Sequence, residues 1–244
     1  MRAVIMGVGL AVFTLSGVAR ADAAGDKALA SVEVSLNKAK TLYFDYEVVN
    51  AEPGKPERKM ELETRTKGDK LFSEFLAPAD MKGTKLLVLA SDQMYVYLPA
   101  FGKVRRIASN TKDQGFMGMS FSLGDLYRTH YTAQYTAVIA SETPKEWKLT
   151  LTPKPAQTVD YAKIQMTVAR DRAVPTELQY FDAAGKNVKT ETRTNYTCEG
   201  DVCAPGERKL VDNTKTSWTK LVVKKRKVNE SMSDDLFTKR NLGE

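Results

Sequence analysis

The chain has 244 residues and a formal net charge of +7, with two cysteines and one histidine. The charge is mild and does not call for nucleic acid, and the single histidine leaves little for metal or triad chemistry. A chain of this length buries a sizeable core, and no composition break marks a linker, so one domain is expected.

Arg2 followed by the uncharged run Ala3–Ala19 and the small-residue sites at Ala21 and Ala23 reads as a secretory signal peptide over residues 1–21, with cleavage after Ala23 as the variant. The alternative is a membrane anchor, for which the run is short. No cysteine lies near the cleavage site, which argues against a lipoprotein anchor. Residues 22–244 are then one exported, soluble domain, periplasmic if the cell has two membranes. Cleavage after Ala21 removes Arg2 and Arg20 and lowers the formal charge from +7 to +5.

Residues 26–40 carry Leu29, Val32, Leu36 and Ala39 at helical spacing. From there the period switches to two. Leu42, Phe44, Tyr46 and Val48 share one strand face, and Met60 and Leu62 share another. A run containing Phe75 ends at Pro78. The segments around Leu86–Ala90 and Met94–Leu98 are apolar at both parities, so they need cover on both faces, or one face serves docking.

Later alternations set Tyr131, Ala133, Tyr135 and Ala137, then Trp147, Leu149 and Leu151, then Ile164, Met166 and Val168, against polar neighbours. This is a string of antiparallel strands with one wet face. About ten or eleven strands and a few short helices emerge, and a sheet that wide curls or closes. The N-terminal helix and residues 117–128 are the only cover for its apolar face. They look too small to fill it, which leaves interior space. Cys198 and Cys203 bracket four residues, and in an exported chain they read as a disulfide at a hairpin tip.

Catalysis has thin support. Ser120, Asp125 and His130 lie close in sequence, but no nucleophile elbow, glycine-rich phosphate loop or metal-ligand spacing accompanies them. The chain is expected not to be an enzyme and to need no cofactor or metal. The apolar run Phe116, Met117, Met119, Phe121 and Leu123 reads as a lid helix, packed on the core or lining a lipid pocket. The basic run Lys224–Lys227 is a solvated edge or a contact for anionic lipid heads or an acidic partner.

Within Met81–Leu126, the parts "KGT", "YVYLPAFGKVRRI" and "FMG…F…DL" occur in order. This segment of 46 residues resembles the signature of the outer-membrane lipoprotein-sorting protein family, which groups with the LolA and LolB lipoprotein carriers. Around Met119, Ser120, Leu123 and Gly124 the sequence lacks two carboxylates of the family pattern; Asp125 or Asp113 is then the substitute partner for the arginines.

The resemblance implies a mainly β (α+β) fold: a strongly curved, incompletely closed antiparallel β-barrel wrapped over a few helices, with an apolar cavity. It implies a periplasmic carrier of lipoprotein acyl chains or phospholipid, with transient contact to a membrane or to an exporter of the RND or ABC type, and no nucleic acid. A lipid-sensing regulator or an accessory subunit of an RND-type transporter is the alternative.

The cavity candidates are Phe44, Tyr46, Met60, Leu62, Phe75, Leu98, Phe116, Met117, Met119, Phe121, Leu123, Trp147, Leu149, Leu151, Ile164 and Met166. Arg105, Arg106 and Asp125 are candidates for a head group or an internal salt bridge. Arg105 and Arg106 are strand neighbours facing opposite sides. They either charge a sheet edge against unwanted pairing or offer planar donors to a lipid phosphate at the cavity mouth.

Overall fold

The computed structural model describes residues 22–90, 93–108 and 115–243. The signal-peptide segment 1–21 and Asp113 lie outside the described residues.

The chain opens with helix α1 (Ala23–Leu36). Asp22 caps it by accepting the amide of Ala24 at 3.0 Å. The helix stops four residues short of the sequence expectation because the Asn37 side chain and amide both turn back to the carbonyl of Glu33. Ala28, Leu29 and Val32 form its buried stripe.

Six strands follow: β1 (Thr41–Ala51), β2 (Arg58–Lys67), β3 (Lys70–Ala77), β4 (Lys85–Ala90), β5 (Gln93–Leu98) and β6 (Lys103–Arg106). A crossover containing the short helix α2 (Leu123–Tyr127) leads to β7 (Tyr135–Glu142), β8 (Glu146–Pro153), β9 (Lys163–Ala169), β10 (Val174–Phe181) and β11 (Asn187–Thr194). The hairpin β12 (Thr197–Glu199) and β13 (Val202–Ala204) precedes β14 (Glu207–Asp212), β15 (Ser217–Val228) and helix α3 (Lys239–Leu242).

Among the described residues the strands form one thirteen-stranded antiparallel sheet, ordered β6-β5-β4-β3-β2-β1-β15-β14-β11-β10-β9-β8-β7, plus the β12–β13 hairpin. The strand number exceeds the ten or eleven read from alternation. The sheet is open, with β6 and β7 as its edges. The last strand, β15, returns to pair with the first, β1. The disulfide Cys198–Cys203 is formed across the hairpin, at directly paired positions.

This topology has one consequence for the interior. The connection from β6 to β7 joins the two edges, and its residues Met119 and Phe121 join the core cluster on the sheet's inner face. On that face Met60, Leu62, Phe75, Leu149, Leu151, Ile164 and Met166 pack with α1 into one cluster. At the β7 edge α1 comes close: a side chain on Gly25 would meet the carbonyl oxygen of Ala137 at 2.3 Å. The adjacent Asp26 accepts the Ala137 amide at 2.7 Å, which satisfies an edge donor.

The strands β4 and β5 do need cover on both faces. On the outer side Phe237 and Leu242 of the C-terminal segment pack on Phe72 and Leu87, with Tyr95 and Tyr97 beside them. The docking alternative for this patch is therefore overturned, because the chain's own end occupies it.

Candidate functional site

The crossover from Gly115 to Tyr127 is the element to build from. It is not the continuous helix expected from sequence. Phe116–Gly118 form a 3-10 turn, Met117 and Gly118 take positive φ (52° and 80°), and only five residues are α-helical. Gly115 bridges Ser122, and the amide of Phe116 donates to the carbonyl of Phe121, so the segment doubles back as a small loop. It carries Met119, Phe121 and Leu123 into the core, each almost wholly buried.

The segment is tethered by polar contacts at two places. At the loop, the Asn50 side chain donates to the carbonyl of Gly118 at 3.0 Å, and the Ser120 amide donates to Thr219 Oγ1 at 2.7 Å. The hydroxyls of Ser120 and Ser217 lie 3.0 Å apart. At α2, Ser122 and Asp125 form a reciprocal capping box. The Asp125 carboxylate, 2% exposed, also accepts Lys189 Nζ and the Tyr161 hydroxyl, each at 2.7 Å. Arg208 donates to the main-chain oxygens of Asp125 and Leu126 at 2.8 and 3.0 Å.

Behind Asp125 lies a second carboxylate, Glu191, fully buried. It accepts from Arg193, Arg208 and the Tyr180 hydroxyl at 2.7–3.2 Å. Burial pushes its pKa up, but the two guanidinium groups outweigh burial and hold it at about 2. Desolvation raises the Tyr180 and Tyr161 hydroxyls, and the carboxylates Glu191 and Asp125 raise them further, so both stay protonated donors. A further ion pair, Arg128–Asp160, is buried against Gly124.

Sequence reasoning missed this polar layer. Lys189, Glu191 and Arg193 stand at alternate positions of β11 and share its inner face with Arg208 of β14. The spacing is visible in the sequence, but nothing there marks that face as buried.

The structure brings most cavity candidates together. Met60, Leu62, Phe75, Met119, Phe121, Leu149, Leu151, Ile164 and Met166 belong to the main cluster, with Tyr46, Phe116, Met117 and Trp147 packed against it. Leu123 sits in an adjoining cluster that Phe116 also touches. Phe44 is buried and stacks on Tyr46 with ring centroids 5.2 Å apart; Leu98 is half-buried at the end of β5. The crossover and α1 occupy the space between these side chains, where spare volume was expected.

Two depressions among those on the surface of the described residues bear on the site. One of about 560 Å³ lies beside the crossover loop and reaches Met119, Ser120 and Ser217. The other, of about 400 Å³, lies outside the sheet between Tyr43, Arg65, Lys225 and Met232.

Arg105 and Arg106 are both exposed on the edge strand β6, away from Asp125, whose carboxylate meets Lys189 and Tyr161 instead. The Arg105 guanidinium lies 5.1 Å from the ring of Phe101, itself 60% exposed at the hairpin tip. Within Lys224–Lys227, Arg226 donates to the carbonyl of Thr197 and Lys227 pairs with Glu230, while Lys224 and Lys225 are exposed.

A family model described as an uncharacterized protein matches residues 67–244. No curated protein matches the chain. Among solved structures, an outer-membrane lipoprotein-sorting protein domain from Vibrio parahaemolyticus is 20% identical, with a TM-score of 0.79 over 91% of this chain and 99% of that one. A DUF1329 family protein from Desulfovibrio piger is 23% identical, with a TM-score of 0.81 over 89% and 99%. A LolA superfamily protein from Nitrosomonas europaea is 18% identical, with a TM-score of 0.72 over 89% and 99%. At these identities the likeness establishes the fold alone, which the chain shares with these three structures. No helix among the described residues is long and apolar enough to cross a membrane.

Proposed function

The chain belongs to the family described as an uncharacterized protein, and on the strength of its fold and its covered inner face we propose that it is a periplasmic carrier for the acyl chains of lipoproteins or lipids. The observation that supports this is the construction of the crossover Gly115–Tyr127. It presents Met119, Phe121 and Leu123 to the apolar inner face, and it is held there by hydrogen bonds at Gly118 and Ser120 and by the ion pair at Asp125. A cover built this way is an exchangeable plug. When it lifts, an acyl chain takes the place of its apolar side chains against Leu149, Leu151, Ile164 and Met166.

The energetics favour exchange over permanent capture. Burying an acyl chain is worth roughly 0.8 kcal/mol per methylene. Opening forfeits the burial of the plug and loosens the contacts at Lys189 and Arg208. The difference sets a moderate affinity, as a carrier that must release its cargo requires. No chemical step is involved.

By analogy of fold, cargo passes from an inner-membrane exporter of the ABC or RND type towards the outer membrane. We assign the docking end to the β5–β6 tip. There exposed Phe101 is flanked by exposed Lys103, Arg105 and Arg106, a combination suited to a lipid surface or a membrane protein.

Native mass spectrometry of gently purified protein, followed by lipid extraction, tests this reading. Bound acyl lipid near one equivalent is the expected result. Replacing Met119 or Leu123 by glutamate is expected to abolish occupancy with the sheet still folded; unchanged occupancy would remove the crossover from the account.

A further inference from the structure

The depression of about 400 Å³ on the outer side of the sheet has a floor built by three neighbouring strands. Tyr43 of β1 stands opposite Arg65 of β2 on one side and Lys227 of β15 on the other, and Asp45, two residues on, stands opposite Lys225. Strands lie about 4.8 Å apart and alternate residues share a face, so the register gathers Arg65, Lys225 and Lys227 around Tyr43. The wall is the chain that leaves β15, from Glu230 to Leu236. It is fastened to the sheet: the Thr41 hydroxyl donates to the main-chain oxygen of Glu230 at 2.7 Å, and Lys67 donates to that of Met232 at 3.0 Å.

The three cations are held differently. Arg65 is fixed in place: Nη2 donates to one oxygen of Glu63 at 2.7 Å, and the guanidinium lies 5.0 Å from the centre of the Tyr43 ring. The Tyr43 hydroxyl donates to the other Glu63 oxygen, also at 2.7 Å. Among the described residues, Nε and Nη1 of Arg65 make no hydrogen bond. Lys227 pairs with Glu230, the one carboxylate among the described lining residues, at 2.7 Å. Lys225 is exposed and makes no hydrogen bond or ion pair among the described residues. The wall adds an apolar side, through half-buried Met232 and Leu236.

A hollow of this size lies within the range of small-molecule sites. Its open donors, a fixed guanidinium edge and an ammonium, suit an anion with several acceptor oxygens, and a phosphate group offers more of them than a carboxylate does. The apolar side has a use only if the anion carries an organic part. We propose that this depression binds a phosphate ester, with the phosphate between Arg65 and Lys225 and the organic part against Met232 and Leu236. The ester is a free metabolite or the head of a membrane lipid; the chemistry recognised is the same. The site lies outside the sheet and is separate from the acyl-chain face.

Two assays on purified protein at low salt test this. Calorimetric titration compares glycerol 3-phosphate with glycerate, the carboxylate of similar size. Flotation measures binding to phosphatidylglycerol vesicles. Lys225→Ala is set against Lys224→Ala, which removes the same charge from an exposed neighbour outside the depression. The expected result is binding of glycerol 3-phosphate at least about 5-fold more tightly than glycerate, weakened at least about 5-fold in Lys225→Ala and unchanged in Lys224→Ala, as loss of one charge-assisted contact implies. Both variants should melt with the parent, since neither side chain is buried.

Binding of the soluble ester identifies a free metabolite as sufficient. Vesicle binding without it, lost in Lys225→Ala and kept in Lys224→Ala, identifies a lipid head. Binding of neither overturns the site. Glycerate bound as tightly as the ester overturns the phosphate assignment, and equal effects of the two lysine variants overturn the placement. None of these outcomes bears on acyl-chain occupancy, so the carrier reading is tested separately.

Discussion

Lys189 on β11 reaches Asp125 in α2 across 64 positions of sequence, Nζ to Oδ2 at 2.7 Å, with both side chains buried. The contact ties the crossover to the strand beneath it. Removing one partner strands the other as an unpaired buried charge, which typically costs about 3–5 kcal/mol. Lys189→Met and Asp125→Asn are each expected to lose stability on that scale in urea unfolding. The double variant should recover a large part of it, because no lone charge remains. A double variant as unstable as the sum of the singles would show that the two residues act independently.

Glu191 gives the protein an acid limb. Its folded pKa of about 2 lies below the ordinary 4.5, so its contribution is complete above about pH 4.5 and is lost as the pH falls towards 2. The linked stability is about 3 kcal/mol as an order of magnitude. Thermal melts between pH 6 and pH 2 are expected to fall steeply in the parent. In Glu191→Gln, already destabilised at neutral pH by two unpaired arginines, the acid limb should be shallower. An unchanged acid slope in the variant would place the titrating group elsewhere.

His130 works in the opposite sense. Its ring joins Glu33 of α1 to Asp69 of the β2–β3 turn, with Nδ1 at 3.3 Å and Nε2 at 2.8 Å from the two carboxylates. Burial pushes its pKa down, but the hydrogen bonds to Asp69 and Glu33 outweigh burial and raise it above 6.5. Its contribution is therefore complete below about pH 6.5 and fades as the pH rises through the raised value. The side chain is half exposed, so the effect is small. The melting temperature of the parent, followed from pH 5 to pH 9, should show a shallow fall that His130→Gln abolishes.

The helix cap bears on processing. Asp22 holds the first turn of α1, so cleavage after Ala21 keeps the cap and cleavage after Ala23 removes it, at a cost of about 1 kcal/mol. Where residues 1–21 are removed as a signal peptide, the intact mass of the product is expected to correspond to a chain starting at Asp22. A mature chain starting at Ala24 would contradict this.

The sequence made some elements plain and hid others, for physical reasons. In β8 and β9, Leu149, Leu151, Ile164 and Met166 alternate with Lys, Thr and Gln, and the period of two is read directly. In β11 the inward residues are Lys189, Glu191 and Arg193 and the outward ones include Thr190 and Thr192, so no hydrophobic period exists. That face is buried because Arg208 and Asp125, from distant parts of the chain, neutralise it. The two-sided character of β4 and β5 was legible, but their outer cover by Phe237 and Leu242 was not, because a short C-terminal segment carries no periodic signal. The crossover was legible as apolar. Its form was not, since the positive φ at Met117 breaks the helix that the apolar spacing implies.

The claim on which the account turns is that the crossover lifts from the inner face to admit an acyl chain. Ser120 and Ser217, whose hydroxyls stand 3.0 Å apart, allow it to be locked. In the double variant Ser120→Cys/Ser217→Cys, oxidation should fasten the loop to β15, with each single variant as the control for reduction of the natural disulfide. Uptake of a fluorescent fatty-acid probe is expected to be lost in the oxidised double variant and restored on reduction, with the single variants unaffected. Undiminished uptake by the fully oxidised, locked protein would contradict it.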